Sequence, residues 1–321
     1  MKYRFLLFIS PLLFLSTVFA QDKTYKNEVG FQSDNDGFLA MRSDRYYTAG
    51  NFLYFRHALK INDTSSKVIN RILTFELGQK IFTPQTAAIP DPIYIDRPFA
   101  GYLYLGSNIN LIYKNESSLK LQLRAGYVGH NAYGEQVQDL IHSTFGFYHP
   151  VGWEYQIQNA FQLNGSVEYN RLLKRGTTTD LSFNSYGNLG TGITGAGLGL
   201  MLRVGTFNQF YNSSSTTSTV SDNPNIKPLH NSELFFYYKP TLNIVAYDAT
   251  IQGGLFESSP GYNEVTSTPN LFVFSQQVGG SYVKGRWVLN LSAIFETRET
   301  KQMANIHWGH QWGIINAEYH F

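Results

Sequence analysis

The sequence predicts an all-β protein: a transmembrane antiparallel β-barrel of about twelve strands with a short extracellular helix. Three observations carry this. Aromatic residues make up 16% of the chain and charged residues only 15%, against about 25% charged in ordinary globular domains. Beyond the N-terminal segment, no stretch reaches the roughly 18 apolar residues of a spanning helix. Instead, apolar and polar residues alternate, as in a sheet with one face toward lipid and the other toward a polar lumen.

The chain opens with the pattern of a secretory signal. Lys2 and Arg4 precede an apolar run at 5–14, and Val18-Phe19-Ala20 has the small-residue form of a cleavage site. The expected division is therefore 1–20 as signal and 21–321 as the barrel domain. The chain has no Cys, which excludes a lipoprotein anchor and a disulfide scaffold. A net charge of +2 gives no electrostatic case for nucleic acid.

The strands follow. Alternation is cleanest at 119–127, where Leu119, Leu121, Leu123, Ala125 and Tyr127 interleave with Lys120, Gln122, Arg124 and Gly126. Segments 73–81 and 287–296 repeat it. Strand-like segments fall near 24–35, 46–60, 68–82, 98–113, 117–130, 157–172, 177–188, 194–206, 232–247, 270–284, 286–298 and 309–321. The last ends in Phe321 with Tyr319 two residues earlier, which resembles the signal read by the barrel-assembly machinery. With the N-terminus periplasmic, the connections at 83–97, 131–156, 248–269 and 299–308 lie outside. The connection at 207–231 breaks the rule: it is long and yet periplasmic, so the expectation is a disordered turn or a strand count off by one there.

This arrangement brings three polar stretches to one rim. Asp34, Asn35, Asp36 and Asp44 offer hard oxygens, and Gly37 allows a sharp turn. An EF-hand is rejected, because its twelfth position is Arg45 rather than Glu. Composition alone favours an Asp/Asn/Gly turn over a cation site. In 134–142, Val137, Leu140 and Ile141 have helical spacing and place His142 beside an apolar stripe. A neutral His is the usual general base near pH 7; His57, His130 and His149 compete for the role. Ser143 adjoins His142, but no G-x-S-x-G elbow or H-E-x-x-H zinc motif is present.

Asn35-Asp36 followed by Asp44-Arg45-x-Tyr47-Thr48-x-Gly50 resembles the signature of the outer-membrane lipid A 3′-O-deacylase family (LpxR-type). So do Asp96-Arg97-Pro98-Phe99-Ala100-Gly101, Gly134-x-Gln136-Val137-Gln138-x-x-Ile141-His142 and Pro150-x-Gly152-Trp153-x-x-Gln156, in the same order along nearly the whole mature chain. The resemblance implies a twelve-stranded barrel that hydrolyses the ester of the 3′-acyloxyacyl group of lipid A, the membrane anchor of lipopolysaccharide, with Ca2+ as cofactor. It implies a site between the barrel wall and an extracellular helix, and a long periplasmic connection. His142 would be the general base; Asn35, Asp36 and Thr48 would organise calcium and the scissile carbonyl, with Asp34 a further ligand candidate. Two departures bear on substrate contacts. No Lys lies in 82–96, so Arg97 is the candidate there, and Tyr148 stands where some members carry a carboxylate. The competing functions are an outer-membrane phospholipase with a Ser nucleophile and a non-enzymatic barrel.

Overall fold

A computed structural model describes residues 25–39, 44–61, 66–256, 263–303 and 309–321. The expected signal segment and Ser43 lie outside them. The strands are β1 (Asn27–Asn35), β2 (Tyr46–Ala58), β3 (Val68–Thr83), β4 (Ala100–Tyr113), β5 (Ser117–Val128), β6 (Ala160–Arg175), β7 (Thr179–Gly190), β8 (Ile193–Thr206), β9 (Ser232–Asp248), β10 (Phe272–Lys284), β11 (Trp287–Thr297) and β12 (Gly309–His320). Each pairs antiparallel with its sequence neighbours, and β1 pairs with β12 to close the barrel. The helix α1 (Gly134–Phe145) and the single turn α2 (Ala249–Gln252) lie in the long connections. Among the described residues no helix is long and apolar enough to cross a membrane.

Closure satisfies every strand edge, which lipid cannot do. The main chain also ties Asn27 to Phe321 in both directions, at 3.1 and 2.9 Å. The alternation then sorts side chains. Leu53, Phe55, Phe75, Leu77, Leu105 and Leu123 are exposed on the outer face. Tyr54, Tyr102, Tyr104 and Trp312 are buried inward, where Tyr102 stacks on Tyr104 with centroids 5.0 Å apart. Aromatic rings thus pack the part of the upper lumen that faces β2, β4 and β12.

The connection 207–231 is neither disordered nor a sign of a miscount. It folds into the lumen at the end that holds the chain termini, burying Phe210, Val220 and Ile226. Its backbone polar groups find partners on the wall: Asn70 Nδ2 donates to Val220 O at 2.8 Å, and Asn110 Nδ2 to Thr216 O at 2.9 Å. Arg203 anchors it, forked onto Asp180 at 2.9 and 2.6 Å while also donating to Ser213 Oγ at 2.8 Å. A Ser/Thr/Asn-rich stretch suits this role, because short hydroxyl and amide side chains pair with a polar inner wall.

The register makes a direct prediction. Leu123→Arg places a charge on the lipid face of mid-β5, where it costs about 2–4 kcal/mol. Its neighbour Gln122 faces the lumen, so Gln122→Ala changes stability far less. Urea unfolding of the purified barrel in lipid vesicles, followed by Trp fluorescence, checks the difference.

Candidate active site

The rim opposite the chain termini carries an outer-wall cluster built from three segments. The first is the end of β1. Asn35 closes the strand and its Oδ1 accepts from Gly37 N at 2.7 Å, turning the chain into a short 3-10 segment that starts at Asp36. Asp36 is buried, and its Oδ2 accepts from Arg45 N at 2.7 Å. Burial, and then repulsion from Asp44, push its carboxyl up to about 8, while only backbone N–H groups pull the other way. The second segment is the start of β2. There the β2–β3 register shifts between Tyr47 and Ala49, a bulge that includes Thr48. Thr48 Oγ1 meets Thr83 Oγ1 at 2.7 Å, both buried.

The third segment is α1, which lies over β3 and β4. Its docking depends on two glycines. A Cβ on Gly134 would sit 3.0 Å from Gly101 Cα and 2.9 Å from the Trp153 ring, so helix and wall meet closely only because both positions are bare. Val137 packs on the cluster of Ala49, Ile81, Ala87, Ile89, Phe99 and Trp153. Gly146 ends the helix in the left-handed region, with φ +73. The turn that follows donates from Phe147 N to His142 O at 2.9 Å and brings Tyr148 O to 2.5 Å from His142 Nδ1.

That carbonyl accepts only, so Nδ1 carries a proton in this contact, and Nε2 is the nitrogen turned toward Asp44. Nε2 lies 2.8 Å from Asp44 Oδ2. The same oxygen accepts from Tyr148 Oη at 2.8 Å and Gln138 Nε2 at 3.2 Å. Gln138 is itself held by Trp153 Nε1, which donates to Oε1 at 2.8 Å. Burial and the neighbouring Asp44 carboxylate raise the Tyr148 phenol above its ordinary range, keeping it a donor. A line of contacts therefore runs Trp153, Gln138, Asp44, His142, Tyr148.

The cluster brings together His142, Tyr148 and Asp44, with Asn35, Asp36 and Thr48 on the adjoining strand ends. The last three bond elsewhere: Asn35 Oδ1 to Gly37 N, Asp36 Oδ2 to Arg45 N and Thr48 Oγ1 to Thr83 Oγ1. Two expected members are placed elsewhere. Asp34 belongs to the inward row of β1, where Tyr47 Oη and Gln32 Nε2 occupy its two oxygens at 2.8 Å each. Arg97 is fully buried, bound to Glu299 Oε2 at 2.7 Å and Thr250 Oγ1 at 3.1 Å, over the Phe82 ring. It offers no free face to a substrate on the outer wall. The competing histidines separate cleanly: His57 pairs with Asn27 at the termini end, His130 with Gln156, and His149 is exposed beside Asp139. Ser143 is exposed, and its Oγ donates to Leu140 O at 3.1 Å.

The sequence offers Asp44 as a hard-oxygen donor only; its pairing with His142, across 98 residues of chain, has no local signal, and only the shared rim points to it. The donor set of Asn35, Asp36, Thr48 and Asp44 is all oxygen, with one buried carboxylate repelled by another, and it fits a hard cation such as calcium.

The fold and this wall define an outer-membrane β-barrel with a helix-covered cluster of hydrolytic residue types on its outer face. The family model described as outer membrane protein LpxR matches residues 6–321, and the chain belongs to that family. In structure it is similar to LpxR from Salmonella typhimurium, with a TM-score of 0.71 at 20% identity, covering 92% of this chain and 100% of that one. The β domain of the Bordetella autotransporter BrkA matches at TM-score 0.49 and 10% identity, covering 93% and 100%. The translocator domain of autotransporter NalP from Neisseria meningitidis matches at 0.42 and 11%, covering 92% and 89%. A comparison with curated proteins returns no match.

Gly134→Val should lift α1 from the wall while the barrel stays closed. Limited proteolysis should then cut within 134–145 at least tenfold faster, with the heat-modifiable gel mobility of the folded barrel unchanged.

Proposed function

We propose that this protein is a calcium-dependent esterase that removes the 3′-linked acyloxyacyl group from lipid A in the outer leaflet of the outer membrane. The observation that carries the reading is the His142 geometry: a ring fixed through Nδ1 by a backbone carbonyl, with Nε2 directed at a carboxylate amid hard oxygens, on the lipid side of the wall. The surroundings suit an acyl chain. Leu140, Phe145, Phe147, Ile93 and Tyr94 are all exposed near the same rim, where a soluble protein would bury such side chains.

His142 Nε2 takes a proton from water as the oxygen attacks the ester carbonyl carbon. The tetrahedral intermediate collapses by breaking the bond to the sugar oxygen, which receives the proton back from His142. The products are a free 3′-hydroxyl on the sugar and a free acyloxyacyl acid. A bound calcium ion would polarise the ester carbonyl and offset charge on its oxygen. Asn35, Asp36 and Thr48 would hold it. Asp44 Oδ2 orients the ring through Nε2, and its carboxylate would offer a further oxygen to a bound cation. Tyr148 and Gln138 hold Asp44 in place through the same oxygen.

The phospholipase reading needs Ser143 as nucleophile, and its hydroxyl is turned to the helix backbone instead. The channel reading needs a lumen open from end to end, and here 207–231 folds across the termini end while aromatic rings pack part of the space above it.

Purified protein in detergent with lipid A tests the assignment. Chelation with EDTA should abolish release of the acyloxyacyl acid, and added calcium should restore it. His142→Gln should lower turnover at least a hundredfold, while Ser143→Ala should leave it within twofold. Asp36→Asn should raise the calcium concentration needed for half-maximal activity at least tenfold. A Ser143→Ala enzyme as inactive as His142→Gln would sink the water mechanism.

A further inference from the structure

The lumen holds a second polar cluster that the chemistry above does not use. Glu296 on β11 and His310 on β12 are direct partners in the β11–β12 ladder, both in inward-facing rows. Such pairs lie about 4.5–5.5 Å apart at Cβ. Glu299, in the connection that follows β11, joins them. One ligand atom of each of the three lies within 4.8 Å of the others.

His310 makes this more than a group of carboxylates. It is only 6% exposed, and among the described residues neither of its buried ring nitrogens has a hydrogen-bond partner. An imidazole with neither nitrogen satisfied is rare in a native interior and calls for a ligand. Packing fixes the ring: it stacks on Trp312 at 5.0 Å and meets Tyr46 edge-on at 5.6 Å. Glu299 is oriented by Arg97 Nε at 2.7 Å, and Arg97 is steadied in turn by Thr250 Oγ1, the kind of outer support that metal ligands carry. Glu296, Glu299 and Asp248 line a cavity of about 190 Å³ with Tyr186, Asn243 and Ser275. Room for an ion and its water is therefore present. Arg97 and Lys80 are cations that act on Glu296.

We propose that Glu296, Glu299 and His310 form a lumenal binding site for a divalent transition-metal ion, with zinc the fitting ion. One imidazole nitrogen and two carboxylates, completed by water from the cavity, match its tetrahedral preference. Calcium is a poor match, because it seeks about 6–8 oxygen ligands. Zinc bonds of about 2.0–2.2 Å place ligand atoms roughly 3.4 Å apart, so side-chain shifts of about 1 Å close the site. The ion would tie β11, β12 and the connection after β11 together on the inner wall. Because β12 pairs with β1, with Gly313 opposite Asn35, it would brace the strand that carries the outer-wall cluster from the opposite face of the sheet.

The test is cobalt binding by the purified, chelator-stripped full chain in detergent. The wild type should bind one equivalent in this site with the visible absorption of a low-coordinate cobalt–imidazole centre, and zinc should displace it. The band should disappear in His310→Gln and in Glu296→Gln, and persist in the Asp36→Asn/Asp44→Asn double variant. Zinc should raise the melting temperature of the wild type and of that double variant, but not of the two lumenal variants. Gel heat-modifiability confirms that each variant is folded, and Glu296→Gln, which keeps side-chain shape, carries the test if His310→Gln does not fold. No cobalt band in the wild type, or a band that persists in the folded lumenal variants, overturns the proposal.

Discussion

Hydrocarbon offers no partner to a backbone amide, so the chain must close its sheet, and the closing pair β1–β12 sets the geometry of everything else. Once Glu28 is opposite His320 and Asn35 opposite Gly313, β1 must end at the rim, and Asn35 and Asp36 must stand there beside the start of β2. The inner face of the same seam is held by ions: Glu28 pairs with Arg56 and with His320, and Arg56 also reaches Glu318 at 3.2 Å. Thr219 of the lumenal connection donates to Glu28 at 2.6 Å, so the plug and the seam are joined. The rim cluster thus stands at the far end of the seam that closes the barrel.

The outer face needs a second constraint, a helix pressed close enough to exclude lipid from the cluster. Gly101 and Gly134 permit the approach, and the Trp153–Gln138 hydrogen bond carries the position of the wall to Asp44. His142 is then held from both sides, by Asp44 and by the carbonyl that the Gly146 turn delivers. Its environment is partly apolar, with Phe147 5.6 Å away edge-on. A polar dyad beneath an exposed apolar surface is what hydrolysis of a lipid ester requires, since the chains and the reacting carbonyl must be bound on adjoining surfaces.

Much of this was legible in the residues. All twelve strands follow from alternation, because a wall between lipid and a polar lumen imposes a period of two on every span. The same parity could have placed Asp34: Val29 and Phe31 face out, so Glu28, Gln32 and Asp34 face in. Arg97 carried no such signal, since it precedes β4 and its burial depends on Glu299 some two hundred residues later. The fold of 207–231 was hidden for a related reason. Its Ser/Thr/Asn composition reads as a solvated loop until the inner wall that supplies Asn70, Asn110 and Arg203 is in place. Asp44 and the Glu296–Glu299–His310 group are likewise products of closure, not of local pattern.

Under the proposed function, the outer-wall cluster cleaves lipid A at its 3′-acyloxyacyl ester. Mass spectrometry of lipid A extracted from outer membranes with and without the expressed protein, in the presence of calcium, tests it most directly. A species lighter by one acyloxyacyl unit should be found with the wild type and be missing with His142→Gln. An unchanged spectrum from membranes that contain the folded wild-type barrel would contradict it.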